Sequence, residues 1–160
     1  MNLSIRENTF LNPAGVGRSL LNLLTPRKEE KQAGRIGDDL GLSPNDPTLA
    51  IEALSGGNQQ KVTIGRWIAA GVDTLLLFDP TRGIDVRTKR QIYLLVRELA
   101  EQGASVLYYT SELAEVPAAC DRVVVIFNGR VVDILDAVDA NEQTLMRAAY
   151  GLNKEQAVPA

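Results

Sequence analysis

The chain has 160 residues, enough for one buried core, and its 45% hydrophobic and 23% charged residues are ordinary for a globular domain. A net charge of -3 argues against a nucleic-acid surface, and the absence of histidine removes the commonest general base and most zinc sites. A single cysteine, Cys120, cannot close an internal disulfide, which fits a reducing cytosol. No apolar run reaches the ~20 residues of a membrane span, and the N-terminal residues show no signal-peptide pattern.

Composition and punctuation divide the chain near residue 72, into a region 1–72 and a region 73–160. The first begins with turn signals in LSIRENTFLNPAGVG, continues with short helices expected near 17–24 and 27–40, and is broken by prolines in LSPNDPTLA. A helix is expected from Ser55 to about Ala70, stopped by Gly71. The run at 74–78 (TLLLF) is continuously apolar between turn residues, the pattern of a strand buried on both faces. Ile92, Leu95, Val96 and Leu99 recur at helical spacing within 87–101, with Gly103 as the stop. ASVLYYT then reads as a second buried strand, and 112–119 as a short helix interrupted by Pro117. RVVVIF and RVVDIL, joined by Asn128-Gly129, make a hairpin, and 141–150 a last helix ending at Gly151. Strand, helix, strand from residue 74 onward predicts an α/β fold with a parallel sheet.

The residues that carry chemistry cluster at the start of the 55–70 helix. Ser55 occupies the N-cap position, and the amides of Gly56 and Gly57 lie where backbone donors and the positive end of the helix dipole converge. Two glycines admit a ligand close to the backbone, so the stretch reads as an anion site. An isolated Ser-Gly-Gly would read instead as a capped loop. A second stretch, NPAGVGRS at 12–19, imitates a phosphate loop, but it opens on Asn12, carries Arg18 in the lysine position and follows no buried strand.

The octapeptide LSGGNQQK at 54–61 resembles the signature motif of ATP-binding cassette (ABC) ATPases, in the variant of monosaccharide importers of the ribose type. LLLFDPTRGID at 75–85 is similar to the family's Walker B strand and D-loop, which places Asp85 in the D-loop. LSIRENTFL resembles the segment after the Q-loop, YYTSELAEV the switch region, CDRVVVIFNGRVV the strand pair after it and TLMRAAYG the C-terminal tail. The resemblance implies a truncated P-loop NTPase cassette, the last part of the second of two tandem cassettes: region 1–72 the helical signature subdomain, and region 73–160 part of the catalytic core with a C-terminal hairpin and helix. Walker A and the Q-loop have no counterpart in these residues.

Three positions depart from the family pattern. Counting back from Pro80, Phe78 fills the Walker B aspartate position and Asp79 the catalytic-glutamate position, while Ser111 fills the switch-histidine position. A slide of one residue would make Asp79 the metal ligand but would put Pro80 in the base position, and Asp79 could also simply cap a strand end. No metal ligand is therefore assigned.

By the resemblance, ATP and Mg²⁺ are held mainly by a partner cassette, and Ser55, Gly56, Gly57, Asn58 and Gln59 reach the γ-phosphate in trans. The implied partners are a second nucleotide-binding cassette, membrane permease subunits and, indirectly, a sugar-binding protein. The implied location is cytoplasmic, on the inner face of the membrane. The alternative is a non-catalytic cassette that only docks; DNA-repair ABC ATPases share the Ser-Gly-Gly but carry coiled-coil insertions absent here. Two structural expectations follow. Gly57→Asp should spare folding, since the site faces an interface. The strand at 105–110 should close directly on that at 123–127, because the family's intervening P-loop strand is missing.

Overall fold

The computed structural model describes residues 3–11 and 25–152, and the chain forms two compact units, Met1–Leu107 and Tyr108–Ala160. The helix expected at 17–24 and the phosphate-loop imitation at 12–19 lie outside the described residues.

The first unit opens with a helix, α1 (Ile5–Thr9), where only turn signals were expected. Its cause was present in the sequence: Ser4 and Glu7 form a reciprocal capping box, with the Glu7 amide donating to Ser4 Oγ (3.2 Å) and the Ser4 amide to Glu7 Oε2 (2.7 Å). A five-residue helix cannot stand alone. Backbone bonds from Ile5 to Leu49 (2.8 Å) and from Arg6 to Pro47 (2.9 Å) tether it, and Ile5 is buried with Leu42, Leu54 and Val62. Helix α2 (Pro26–Asp39) begins with proline in its first turn, where a missing N–H costs nothing.

Helix α3 (Gly56–Ala70) has the expected bounds and ends on Gly71 at φ 67°, a left-handed cap that glycine adopts without strain. It packs against both α1 and α2. Arg66 fastens it to the end of α1, its Nε donating to the Asn8 carbonyl (2.8 Å).

Strand β1 (Thr74–Phe78) leads through α4 (Val86–Glu101) to β2 (Ser105–Tyr109), and the two strands pair in a parallel sheet. The expectation that β1 and β2 are buried strands is corrected: in β1 Leu75 and Leu77 are buried, whereas Leu76 is 63% and Phe78 70% exposed, and in β2 Leu107 and Tyr109 are exposed and no residue is buried. Helices cover both faces only in a complete doubly wound sheet. On α4, Ile92 and Val96 are fully buried and Leu95 and Leu99 half-buried, as the helical spacing requires.

In the second unit a 3-10 turn (Leu113–Glu115) runs into α5 (Val116–Ala119). Pro117 lies in the first turn of α5 and so starts the helix rather than interrupting it. Strands β3 (Arg122–Phe127) and β4 (Arg130–Asp136) form the expected antiparallel hairpin. Asn128 (φ 48°) and Gly129 (φ 73°) are both left-handed, the requirement of a two-residue turn whose twist matches the strands. A register shift between Val125 and Ile126 leaves Val132 as the extra residue of a bulge. Helix α6 (Glu142–Ala149) packs on β3, and Val116, Val125, Ala137, Leu145 and Ala148 make the core. Asn141 caps α6 through the Thr144 amide (2.9 Å), so Asn141→Ala should cost about 1 kcal/mol in urea denaturation.

The direct closure of 105–110 on 123–127 is corrected as well. Among the described residues β2 pairs with β1 and β3 with β4. The β3–β4 pair is joined by a two-residue turn and so costs little loop-closure entropy, whereas a β2–β3 pair would have to close the longer connection 111–121.

Candidate functional site: the amino end of helix α3

Ser55 has an extended backbone (φ -59°, ψ 154°) and caps α3, with Asn58 donating to Ser55 Oγ from its amide (3.4 Å) and from Nδ2 (3.0 Å). Ser55 and Gly56 are exposed. A Cβ built on Gly56 meets no heavy atom within 4 Å, so the side-chain direction at this position is open. The amino end of a fifteen-residue helix is thus presented outward, and the dipole and free amides favour an anion there.

The other motif residues are engaged within the fold. Asn58 Nδ2 also donates to the Ser43 carbonyl (2.7 Å), and Gln59 Nε2 donates to the Leu54 carbonyl (2.9 Å). Lys61 is buried, its Nζ donating to the Gly41 carbonyl (2.8 Å). Burial holds the Lys61 ammonium below the ordinary lysine value; Arg87 pushes the same way and Asp85 opposes. These side chains hold the loop around Ser55 in place.

Gly57 overturns an expectation. It is buried, and a Cβ there would run into Thr88 Cγ2 on α4, with Thr88 Cβ and Oγ1 at 3.0 Å. The glycine allows close packing against α4, so Gly57→Asp is expected to disturb that packing rather than to spare folding.

Thr88 links this contact to Asp85, which is the N-cap of α4. The Thr88 amide donates to Asp85 Oδ1 (3.0 Å) and its hydroxyl to Oδ2 (2.7 Å). Sequence reasoning missed Thr88, although an aspartate directly before a helical pattern is itself an N-cap signal. The side-chain bond from Thr88, then its backbone bond, hold the Asp85 carboxyl below the ordinary range. A carboxyl depressed in the folded state contributes stability above its unfolded pKa and loses it as pH falls through the folded value. The acid limb of the denaturation midpoint against pH should therefore be shallower in Asp85→Asn than in the parent chain.

Asp79 ends β1 with φ 44°, a left-handed conformation that aspartate tolerates better than most residues. Just before it the Phe78 ring is exposed and offers no oxygen donor. Among the described residues no three acidic, cysteine or histidine side chains converge on a point that could hold a metal ion. The residues of β1 do not fit Mg²⁺. Ser111 is exposed and lies in the second unit, in the turn between β2 and the 3-10 segment.

No family model matches the chain. Among curated proteins it is 46% identical over 115 residues to the ribose import ATP-binding protein RbsA of Geobacillus kaustophilus, covering 72% of this chain and 23% of that one. It is 40% identical over 159 residues to RbsA 1 of Rhizobium etli, covering 97% of this chain and 30% of that one. Among solved structures, a metal-chelate type ABC transporter in an inward-facing conformation superposes with a TM-score of 0.76 at 19% identity, covering 94% of this chain and 59% of that one. A dimeric ATP-binding cassette bound to ADP and Pi gives a TM-score of 0.67 at 24% identity, covering 84% and 57%.

The chain belongs to the ATP-binding cassette family.

It is a partial cassette, spanning about a quarter to a third of the curated relatives it matches (23% and 30%) and under three fifths of the solved cassettes (59% and 57%). Among the described residues of this cassette no helix is long and apolar enough to cross a membrane.

Proposed function

We propose that this chain is part of the ATP-binding subunit of an ABC-type monosaccharide importer, and that Ser55 and Gly56 donate to the γ-phosphate of ATP held by a partner cassette. The observation that carries the reading is the exposed amino end of α3, where Ser55 and Gly56 are open to solvent while Asn58, Gln59 and Lys61 brace the loop behind them. The names of the curated relatives, ribose import ATP-binding proteins, support the substrate class.

The chemistry is charge stabilisation. Negative charge on a transferring phosphoryl group is met by preorganised donors, and donors supplied in trans accelerate such transfer without a nucleotide pocket of their own. Asn58 and Gln59 act as positioning residues in this reading, and Asp85 and Thr88 hold the start of α4 against Gly57. Permease subunits, a sugar-binding protein and a place on the inner face of the membrane belong to the assembled importer.

The second reading, a cassette that docks without catalysing, is favoured by one observation: the exposed ring of Phe78 in the metal position. ATP turnover by an intact cassette of the ribose type, measured with and without this chain, separates the two. Stimulation supports the donor reading; unchanged turnover with complex formation supports docking. The chain by itself is expected to bind ATP poorly and to hydrolyse none. Binding by the isolated chain with a Kd in the low micromolar range, about 8 kcal/mol, would overturn the account of a truncated cassette without a nucleotide pocket of its own.

A further inference from the structure

Glu115 is a carboxylate left only 3% exposed, beside the turn that carries Ser111, and no step above uses it. Its Oε2 accepts from the Thr110 hydroxyl (2.9 Å) and from the Tyr108 hydroxyl (3.1 Å). Thr110 Oγ1, having given its proton to Glu115, accepts the Glu112 amide (3.0 Å). The direction of this relay is set by chemistry. An amide can only donate, so the threonine oxygen receives it, and the hydroxyl proton is free to point at the carboxylate. Ser111 sits between the two residues that the relay joins.

The far end of the relay is packed and hydrogen-bonded. Glu115 closes the 3-10 segment through its amide to the Glu112 carbonyl (3.0 Å), and Leu113 and Val116 on either side pack in the core of the second unit. A buried carboxylate is retained only where its acceptors are filled, and two of its donors here come from β2 and the residue that follows it.

We infer that Glu115 is the positioning residue of the switch segment: through Thr110 it fixes the turn 110–112 and hence where Ser111 stands. What Ser111 then does rests on the functional reading above; the anchoring does not.

The test uses the full chain and two pairs of variants. Thr110→Val and Glu115→Met remove the relay while keeping bulk, and Thr110→Ser and Glu115→Gln keep a hydroxyl or an acceptor oxygen. Residue-resolved amide hydrogen exchange is the readout, with thermal denaturation alongside. Loss of the relay should speed exchange at Glu112 by about tenfold, the value of one modest hydrogen bond, with amides of the β3–β4 hairpin within twofold of the parent. Thr110→Ser and Glu115→Gln should return Glu112 to within about twofold. Equal acceleration at Glu112 and throughout the hairpin would mean a merely structural carboxylate, and no acceleration, or no rescue, would mean that the turn is held by other contacts; each result overturns the inference. Since no nucleotide or partner enters this experiment, its failure and the failure of the donor reading are separate results.

Discussion

Gly56→Asp and Gly57→Asp are expected to have opposite effects on stability and the same effect on function. At Gly56 the side chain enters open space at the first turn of α3, where a carboxylate interacts favourably with the helix dipole by about 0.3–1 kcal/mol. The denaturation midpoint should hold or rise. On the donor reading, stimulation of a partner cassette should nevertheless vanish, because the new charge would repel the γ-phosphate that this helix end is proposed to receive. At Gly57 the side chain has no room. Displacing Thr88 costs about 1–3 kcal/mol in overpacking, and burying an unpaired carboxylate adds several kcal/mol more. Loss of the Thr88 geometry also removes the cap that Asp85 makes on α4. Urea denaturation and turnover measured on both variants decide the matter. A Gly56→Asp chain that still stimulates a partner cassette would show that the amino end of α3 is not the donor, and a Gly57→Asp chain of parental stability would contradict the packing against α4.

Ile5→Ala is expected to cost about 3 kcal/mol, the middle of the range for truncating a fully buried aliphatic side chain. Ile5 is 1% exposed and sits among Leu42, Leu54 and Val62, one of which is the residue just before the signature serine and another a member of α3. The cavity therefore opens beneath the loop that presents Ser55. The midpoint of urea denaturation should fall with an unchanged slope, and amides around 49–55 should exchange faster than those of α4. A loss below about 1 kcal/mol would mean that the α1 segment contributes little to the unit.

Much of this molecule was legible before its structure. Helix α3, the strands β1 and β2, helix α4, the Asn-Gly hairpin and α6 follow from local signals: apolar spacing, caps, glycine stops and one two-residue turn. The signature octapeptide and the PTRGID segment identified the family by themselves, because their order and spacing are specific and need no contact map. Helix α1 was legible too, in Ser4 and Glu7, but a capping box over five residues was outweighed by the turn residues around it. The Asp85 cap was hidden by its more specific motif.

Residue types and their neighbours in the chain determined which elements form and where the signature peptide lies, since caps, turns and helical periodicity act over a few residues. Tertiary structure alone decided which side of each element meets another. Leu76 and Phe78 are apolar like Leu75 and Leu77, and only the layers around β1 determine that the first pair is exposed and the second buried. Gly56 and Gly57 are chemically identical, and only Thr88, thirty-one positions beyond Gly57, makes one an open position and the other a packing contact. Burial is a property of contacts between residues distant in the chain, so a local pattern can name the candidates for it without choosing among them.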